Sequence, residues 1–257
     1  EQWEGRRAID CWFKVDTGMS RLGFSLTTAS AQLQRLMACA VVNEDALVIM
    51  SHLATADDET DQRSQVQIER FTTFTHGHDF KKSLCNSAAI FRFKHCHYDW
   101  VRPGIALYGV SPLIGVEASQ LDLCPVMTLK ARIIAIRNLS KGDCIGYGGV
   151  YQCARSIRVA VVNIGYGDGY PRNAPQGTPV LIQGVRCPIV GRVSMDMLTV
   201  DITAVADTAI GDEVILWGGG LPVEEVAGCI GDLTYEMLAQ VTSRVEFKIM
   251  PEKVAVS

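Results

Sequence analysis

The chain has 257 residues, 48% of them apolar, and its 24 Lys and Arg against 28 Asp and Glu give a formal charge of −4. Such a composition excludes intrinsic disorder, and the length suits one large domain or two ordinary ones. No basic run supplies the charge that phosphate binding needs, so a nucleic-acid partner is not expected. The longest apolar runs, Val159 to Val162 and Val214 to Trp217, are too short to cross a bilayer, and Glu1 to Arg7 has no apolar signal-peptide core.

Nine cysteines occur without a CxxC pair. Cys11, Cys39, Cys85, Cys144 and Cys229 have apolar neighbours, which reads as reduced, small core residues of a cytoplasmic protein. No metal site is expected, since the histidines show no HExxH pattern. His95-Cys-His97 is a local ligand candidate, but a loop accounts for it as well. The chain opens on Glu1 and enters a strand just after Asp10, which suggests an interior start within something longer.

In chain order, Cys11 to Val15 reads as a strand and Thr28 to Ala40 as a helix with Leu33, Leu36 and Met37 on one side. Leu47 to His52 is a strand, and Thr60 to Phe74 a polar helix. Ser83 to Asn86 is a strand running into an Ala-rich helix, and Trp100 to Arg102 is a fourth strand before a turn at Gly104 to Tyr108. This alternation means βαβ units and a parallel sheet. After about Asp122 the texture becomes short β-rich runs between Gly, Asp and Pro turns. These runs are Met127 to Ile136, Arg158 to Ile164, Val180 to Ile182, Ile189 to Val193, Leu198 to Ile202 and Glu213 to Trp217. They predict an antiparallel barrel or sandwich. Helical character returns at Leu221 to Ile230 and at Tyr235 to Gln240.

Two loops carry chemistry. Asn86-Ser87 follows a strand and opens a helix, and Arg102-Pro-Gly104-Ile105 follows the next strand. Helix-start amides, a hydroxyl and a glycine that admits close approach form a phosphate cradle. Read alone, Asn86 or Ser87 serves equally well as a helix cap and Gly104 as a turn.

The motifs in combination are more specific. Lys14-Val-Asp-Thr-Gly-Met-Ser-Arg21-Leu-Gly-Phe, Ser51-His52-Leu-Ala-Thr-Ala-Asp57, Asn86-Ser-Ala-Ala and Val101-Arg102-Pro-Gly-Ile-Ala-Leu-Tyr108-Gly come first. Gly146-Tyr147-Gly-Gly, Ile164-Gly-Tyr166-Gly-Asp168-Gly-Tyr170, Gly191-Arg192-Val-Ser-Met195-Asp196 and Tyr235-Glu-Met-Leu follow. The ordered series resembles the alanine racemase family across essentially the whole chain. The resemblance implies a pyridoxal 5'-phosphate cofactor and a (β/α)8 barrel followed by a mainly antiparallel β domain. It also implies a head-to-tail homodimer in which one subunit's barrel meets the partner's β domain at each active site.

One departure stands out. The family's cofactor lysine lies in a segment resembling AVVKANAYGHG, and the 257 residues contain none. By register Lys14 falls on the family's fifth strand. The expected fold is therefore α/β plus all-β: the C-terminal half of a barrel over 1–121, binding cofactor, then a β domain over 122–257. On this reading the 257 residues alone would be inactive.

The resemblance assigns residues as follows. Tyr147 matches the base on the face opposite the lysine, with His52 and Arg102 as its relay. Without the motif His52 would read as a satisfied core histidine. Arg102 also matches the residue facing the pyridine nitrogen, and a guanidinium cannot readily give up its proton. Arg21 matches the arginine near the cofactor's phenolic oxygen and the substrate carboxylate. Lys14 matches a lysine that many members carbamylate, while a plain ion pair with a carboxylate remains open. Asn86, Ser87, Gly104, Ile105 and Tyr235 match cofactor-binding positions, most of them at the phosphate. Tyr147 and the Met195 amide match substrate contacts. Tyr166, Arg172, Asp57, Arg192 and Asp196 match a narrow access corridor, with surface ion pairs as the competing account. The implied reaction is L- to D-alanine interconversion for cell-wall supply. A serine or broad-specificity racemase, or an inactive fragment that keeps the fold, are the alternatives.

Overall fold

The computed structural model describes residues 8–250. The opening Glu1 to Arg7 and the final Pro251 to Ser257, with Lys253, lie outside the described residues. The chain divides into two compact units, Glu1–Cys124 and Pro125–Ser257.

The first unit is built on an alternating strand, β1 (Trp12–Asp16), in which Phe13 and Val15 are buried while Trp12 is exposed. Alternation puts Trp12, Lys14 and Asp16 on the opposite face from Phe13 and Val15. Next come β2 (Phe24–Ser25), α1 (Leu26–Met37), β3 (Val48–Met50) and α2 (Arg63–Thr75). The unit continues with β4 (Lys81–Asn86), α3 (Ser87–Arg92) and β5 (Trp100–Arg102). All strand pairs are parallel, in the order β2-β1-β3-β4-β5. Phe13, Val15, Ile49 and Leu84 from the strands share one core with Ala29 and Leu33 of α1, Ile68 and Phe71 of α2, and Ala88 and Ala89 of α3. Helices thus cover one face. On the other, Trp12 and Trp100 meet with ring centroids 6.0 Å apart, both about half exposed.

The second unit is antiparallel. Its strands are β6 (Leu129–Leu139), β7 (Cys144–Ile145), β8 (Tyr151–Gln152), β9 (Ile157–Val162), β10 (Pro179–Ile182), β11 (Val185–Pro188), β12 (Leu198–Asp201) and β13 (Glu213–Trp217). Two helices, α4 (Val223–Ile230) and α5 (Thr234–Ala239), follow. Six strands form one sheet in the order β11-β10-β13-β6-β9-β12, while β7 and β8 form a separate hairpin. The long β6 pairs with β13 through Leu129 to Arg132 and with β9 from Ile133 onward. A register shift between Ile133 and Ala135 lets one strand serve both partners. The βα unit with its parallel sheet and the antiparallel unit after it are the fold class the sequence predicts.

Several sequence expectations move. The strand expected at Ile189 to Val193 is instead β11, Val185–Pro188, with Ile189 making only an isolated bridge to Val200. Gly191, at φ +77°, turns the chain out of the ladder. The helix expected from Thr60 starts at Arg63, because Asp58 and Asp61 cap local turns through Thr60 N and Arg63 N. Cys85, Cys96, Cys153 and Cys187 are buried and Cys11 and Cys39 half-buried, but Cys144 and Cys229 are exposed rather than in the core. His97 shares a hydrogen bond through Nε2 with the Ile90 carbonyl, 2.8 Å away. Among the described residues no group of three His, Cys, Asp or Glu could hold a metal, and no helix is long and apolar enough to cross a membrane.

Candidate active site

In the first unit the chemistry gathers where the parallel strands end, the usual place for sites in βα folds. Arg102, the last residue of β5, is the centre. Its Nη1 donates to Ser83 Oγ at 2.5 Å, and its Nη2 donates to the Ser51 carbonyl at 2.6 Å and the Leu84 carbonyl at 3.2 Å. The same Nη2 lies 3.4 Å from His52 Nδ1. Ser51 is fixed in turn, since its Oγ donates to the Val15 carbonyl and meets Thr17 Oγ1, each at 2.8 Å. Among the described residues only neutral acceptors hold this guanidinium, so its charge remains available to a ligand.

His52 feels that charge. Burial first, then the guanidiniums of Arg102 and Arg21 and the ammonium of Lys14, push its pKa down to about 4. The imidazole is neutral at neutral pH. Lys14 is also pushed down, by burial and then by Arg21 and Arg102, with Asp16 opposing weakly. Asp16 is spoken for. Its Oδ1 accepts the amides of Gly18, Met19 and Ser20 at 2.9 to 3.0 Å and so shapes the loop leading to Arg21. Among the described residues no carboxylate lies at ion-pair distance from Lys14.

The His52 shift carries a stability consequence. An unfolded histidine takes up its proton near pH 6.5, whereas folded His52 resists until about pH 4. Stability from this group is therefore complete above the unfolded value and falls as pH drops through that window. The loss is on the order of 1–2 kcal/mol after solvent screening. Urea titrations at pH 7 and pH 4.5 should show it, and His52→Gln should lose less over the same interval. An equal loss in both proteins would place the acid sensitivity elsewhere.

Beside this cluster lies a cradle. Asn86 caps α3, its Oδ1 accepting from Ala89 N at 3.1 Å and its Nδ2 donating to the Leu53 carbonyl. The buried Ser87 Oγ accepts from Gly104 N at 2.7 Å and Ala106 N at 3.4 Å, tying the two loops together. A Cβ on Gly104 would stand 3.8 Å from that hydroxyl and cover it. Ile105, next to Gly104, is buried, 3% exposed. A hydroxyl, the open amides of a helix start and a neighbouring guanidinium match an anionic group such as a phosphate. By this donor chemistry the residues fit pyridoxal phosphate. Asp57, with its carbonyl accepting from Ile114 N, stands outside the cluster.

In the second unit, Tyr147 sits in the loop of the β7–β8 hairpin, 76% exposed, between Gly146 and Gly148 at φ +72° and +74°. Met195 is exposed on another loop, as is Tyr235 on α5. The Arg172 guanidinium lies 5.7 Å over the Tyr166 ring. Arg172 and Arg192 line one cleft of about 610 Å³ with Val150 and Gln176. Asp196, however, pairs with Arg244, a residue that belongs to none of the motifs. Ser83 also lies outside every motif, since a buried serine carries no pattern until its partner is known, whereas Ser51 and Thr17 lie within the motifs of His52 and Lys14 without a role assigned to them.

Comparison with known proteins follows this division. The alanine racemase N-terminal domain pattern matches residues 1–112, and the C-terminal domain pattern matches residues 126–249. The alanine racemase of Shewanella denitrificans is 45% identical over 98% of this chain and 69% of its own length. That of Coxiella burnetii is 45% identical over 93% of this chain and 67% of its own. The crystal structure of the biosynthetic alanine racemase from Pseudomonas aeruginosa superposes with a TM-score of 0.89 at 44% identity, covering 94% of this chain and 67% of that one. The alanine racemase from Bartonella henselae, described with covalently bound pyridoxal phosphate, has a TM-score of 0.78 at 31% identity and 64% coverage of its chain. The chain thus spans about two thirds of the length of these relatives. A βα unit with an anion cradle, followed by an antiparallel β unit, defines a two-part enzyme of the barrel class. The chain belongs to the alanine racemase family, pyridoxal-phosphate-dependent isomerases that interconvert L- and D-alanine.

Proposed function

We propose that this chain carries the substrate-handling part of an alanine racemase, supplying D-alanine for cell-wall precursors from the cytoplasm. The observation that carries the proposal is the group Lys14, Arg21 and Arg102 around a neutral His52, next to the Ser87–Gly104 cradle. Such a group binds a ligand with several anionic oxygens. Pyridoxal phosphate, when bound, withdraws electrons from the substrate α-carbon and so acidifies its C–H bond.

The chain's own residues do the rest. Ser87, Gly104 and Ile105 would hold the phosphate, with Asn86 ordering the helix start, and Tyr235 matches a further phosphate position of the family. Arg102 matches the position for the pyridine nitrogen, where a guanidinium would donate a hydrogen bond without surrendering its proton and so would limit the electron sink. Arg21 and the Met195 amide hold the substrate carboxylate. Tyr147 moves the α-proton on one face, with His52 and Arg102 completing its hydrogen-bond relay. Tyr166, Arg172, Asp57, Arg192 and Asp196 form the access corridor. Tyr147 and Met195 act with His52, Ser87 and Arg102 of the partner subunit in a homodimer, so the sequence boundary near Asp122 separates two functional parts.

The test uses protein that carries this chain together with the family's lysine-bearing strand. With pyridoxal phosphate and L-alanine it should form D-alanine. Mixed Tyr147→Ala and cofactor-lysine→Ala subunits should recover part of the activity that each lacks. Absence of turnover in the parent protein would overturn the proposal, and absence of recovery after subunit exchange would overturn the shared site.

Lys14 follows from the same electrostatics. A lowered pKa leaves more neutral amine, and neutral amine adds carbon dioxide to give a carbamate with loss of one proton. The resulting anion would pair with Arg21, replacing repulsion by attraction. NMR with isotopically labelled bicarbonate should show a carbamate carbon that Lys14→Arg lacks. An identical spectrum from both proteins would leave Lys14 an ordinary amine.

A further inference from the structure

The segment from Gly165 to Gly169 is unusually close to two other loops of its unit. A Cβ on Gly165 would collide with the Ser194 and Met195 carbonyls, and one on Gly167 with the Arg244 guanidinium. Backbone bonds seal the contact. Tyr166 N donates to the Ser194 carbonyl at 3.1 Å and Gly167 N to the Met195 carbonyl at 2.8 Å. Thr242 closes the other side, its Oγ1 donating to the Gly167 carbonyl at 2.9 Å and its N to the Asp168 carbonyl at 3.1 Å. The Met195 loop is further shaped by Ser194, whose N and Oγ both donate to the Met197 carbonyl. With its carbonyl turned inward to Gly167, Met195 has its own N–H without a partner among the described residues.

One side chain spans the two acidic turns. Arg244 Nη2 donates to Asp196 Oδ1 at 2.5 Å, and its Nε lies 3.3 Å from Asp168 Oδ1. Asp168 is only 14% exposed and also accepts from Gly165 N at 3.0 Å through Oδ2. Arg244 therefore joins the residue after Met195 to the residue that closes the Tyr166 turn. A guanidinium can serve two carboxylates from different nitrogens in fixed geometry, which an ammonium cannot.

We infer that Arg244 is a positioning residue of the racemase site: by bridging Asp168 and Asp196 it holds the Met195 N–H, and the Tyr166 turn beside it, in place for the substrate carboxylate. This rests on the reading of Met195 given above. The bridge is half exposed, so global stability should change little when it is lost. The effect falls on ground-state binding of the carboxylate, hence on KM more than kcat.

The experiment compares Arg244→Ala, Arg244→Lys and Asp196→Asn in the lysine-bearing, cofactor-loaded protein. KM for both alanine enantiomers should rise about fivefold to tenfold, with kcat within about twofold, and the inhibition constant of acetate should rise by the same factor. Arg244→Lys should lie between wild type and Arg244→Ala, and it keeps the test alive if Arg244→Ala fails to fold. Hydrogen exchange supplies a readout independent of turnover. The Tyr166 and Gly167 amides should exchange faster in every variant, while the β9 and β12 amides keep their protection. Unchanged exchange and unchanged KM would overturn the inference, as would a loss spread evenly over the whole unit. The site reading fails separately. If Tyr147→Phe leaves racemisation intact, the assignment of the site is wrong whatever Arg244 does.

Discussion

Tyr147→Phe should collapse racemisation in the lysine-bearing protein, with a loss on the order of a hundredfold to ten-thousandfold, the range for removing one general acid-base group. The hydroxyl is what changes. Tyr147 is three-quarters exposed in its loop, so losing one oxygen opens no cavity and packing survives. Racemisation needs a base on each face of the α-carbon, whereas hydrogen exchange with solvent needs only one. On the reading proposed above, Tyr147 would serve the L-alanine face and the lysine the D-alanine face. Deuterium washout from D-alanine should therefore persist while washout from L-alanine is nearly lost. A parallel fall for both enantiomers, or no change in either, would remove Tyr147 from the role of face-specific base.

Gly169→Ala should produce a large loss of stability in the second unit. The residue sits at φ +97°, and a Cβ there would run into the Gln240 carbonyl and lie 2.7 Å from the Val241 Cα. The atoms met are all backbone, which leaves no flexible side chain to move aside. Gly177 has nearly the same conformation, φ +94°, with nothing within 4 Å of the point where a methyl would stand. Gly177→Ala therefore isolates the cost of left-handed backbone, about 1 kcal/mol. Gly169→Ala adds the collision, for a total of at least about 3 kcal/mol. Paired urea midpoints measure both. Equal shifts would mean that the 240–241 loop yields freely.

These two glycines show what the sequence makes legible and what it hides. Both are glycines in polar turns, and only the partner segment, far along the chain, separates a costly site from a tolerant one. Strands such as β1 are legible because burial on one face enforces alternation, Trp12 out and Phe13 in. The β7–β8 hairpin is not, since two-residue strands hold too few side chains to show a period. Ile189 to Val193 misleads for the opposite reason. Its apolar residues are buried, yet Gly191 takes the chain out of extended geometry. The site divides in the same way. Lys14, Arg21, His52, Ser87 and Arg102 are visible as members of ordered motifs, and the geometry gives Ser87 and Arg102 their hydrogen-bond partners. Ser83 and Arg244 are not visible, because their part is to fix another residue and the pairing exists only after folding.

The tryptophan pair on the open face of the first unit has an optical use. Trp12 and Trp100 stand about half exposed with their rings in contact, whereas Trp217 of the second unit is fully buried. Water-relaxed indoles emit at longer wavelength than indoles sealed in a core. The described tryptophans are therefore a two-colour label already present in the chain, red for the first unit and blue for the second. A single spectrum therefore follows the two units separately: a red shift of the buried component reports opening of the second unit's core, while a change in the red component reports the face of the first unit that carries Trp12 and Trp100.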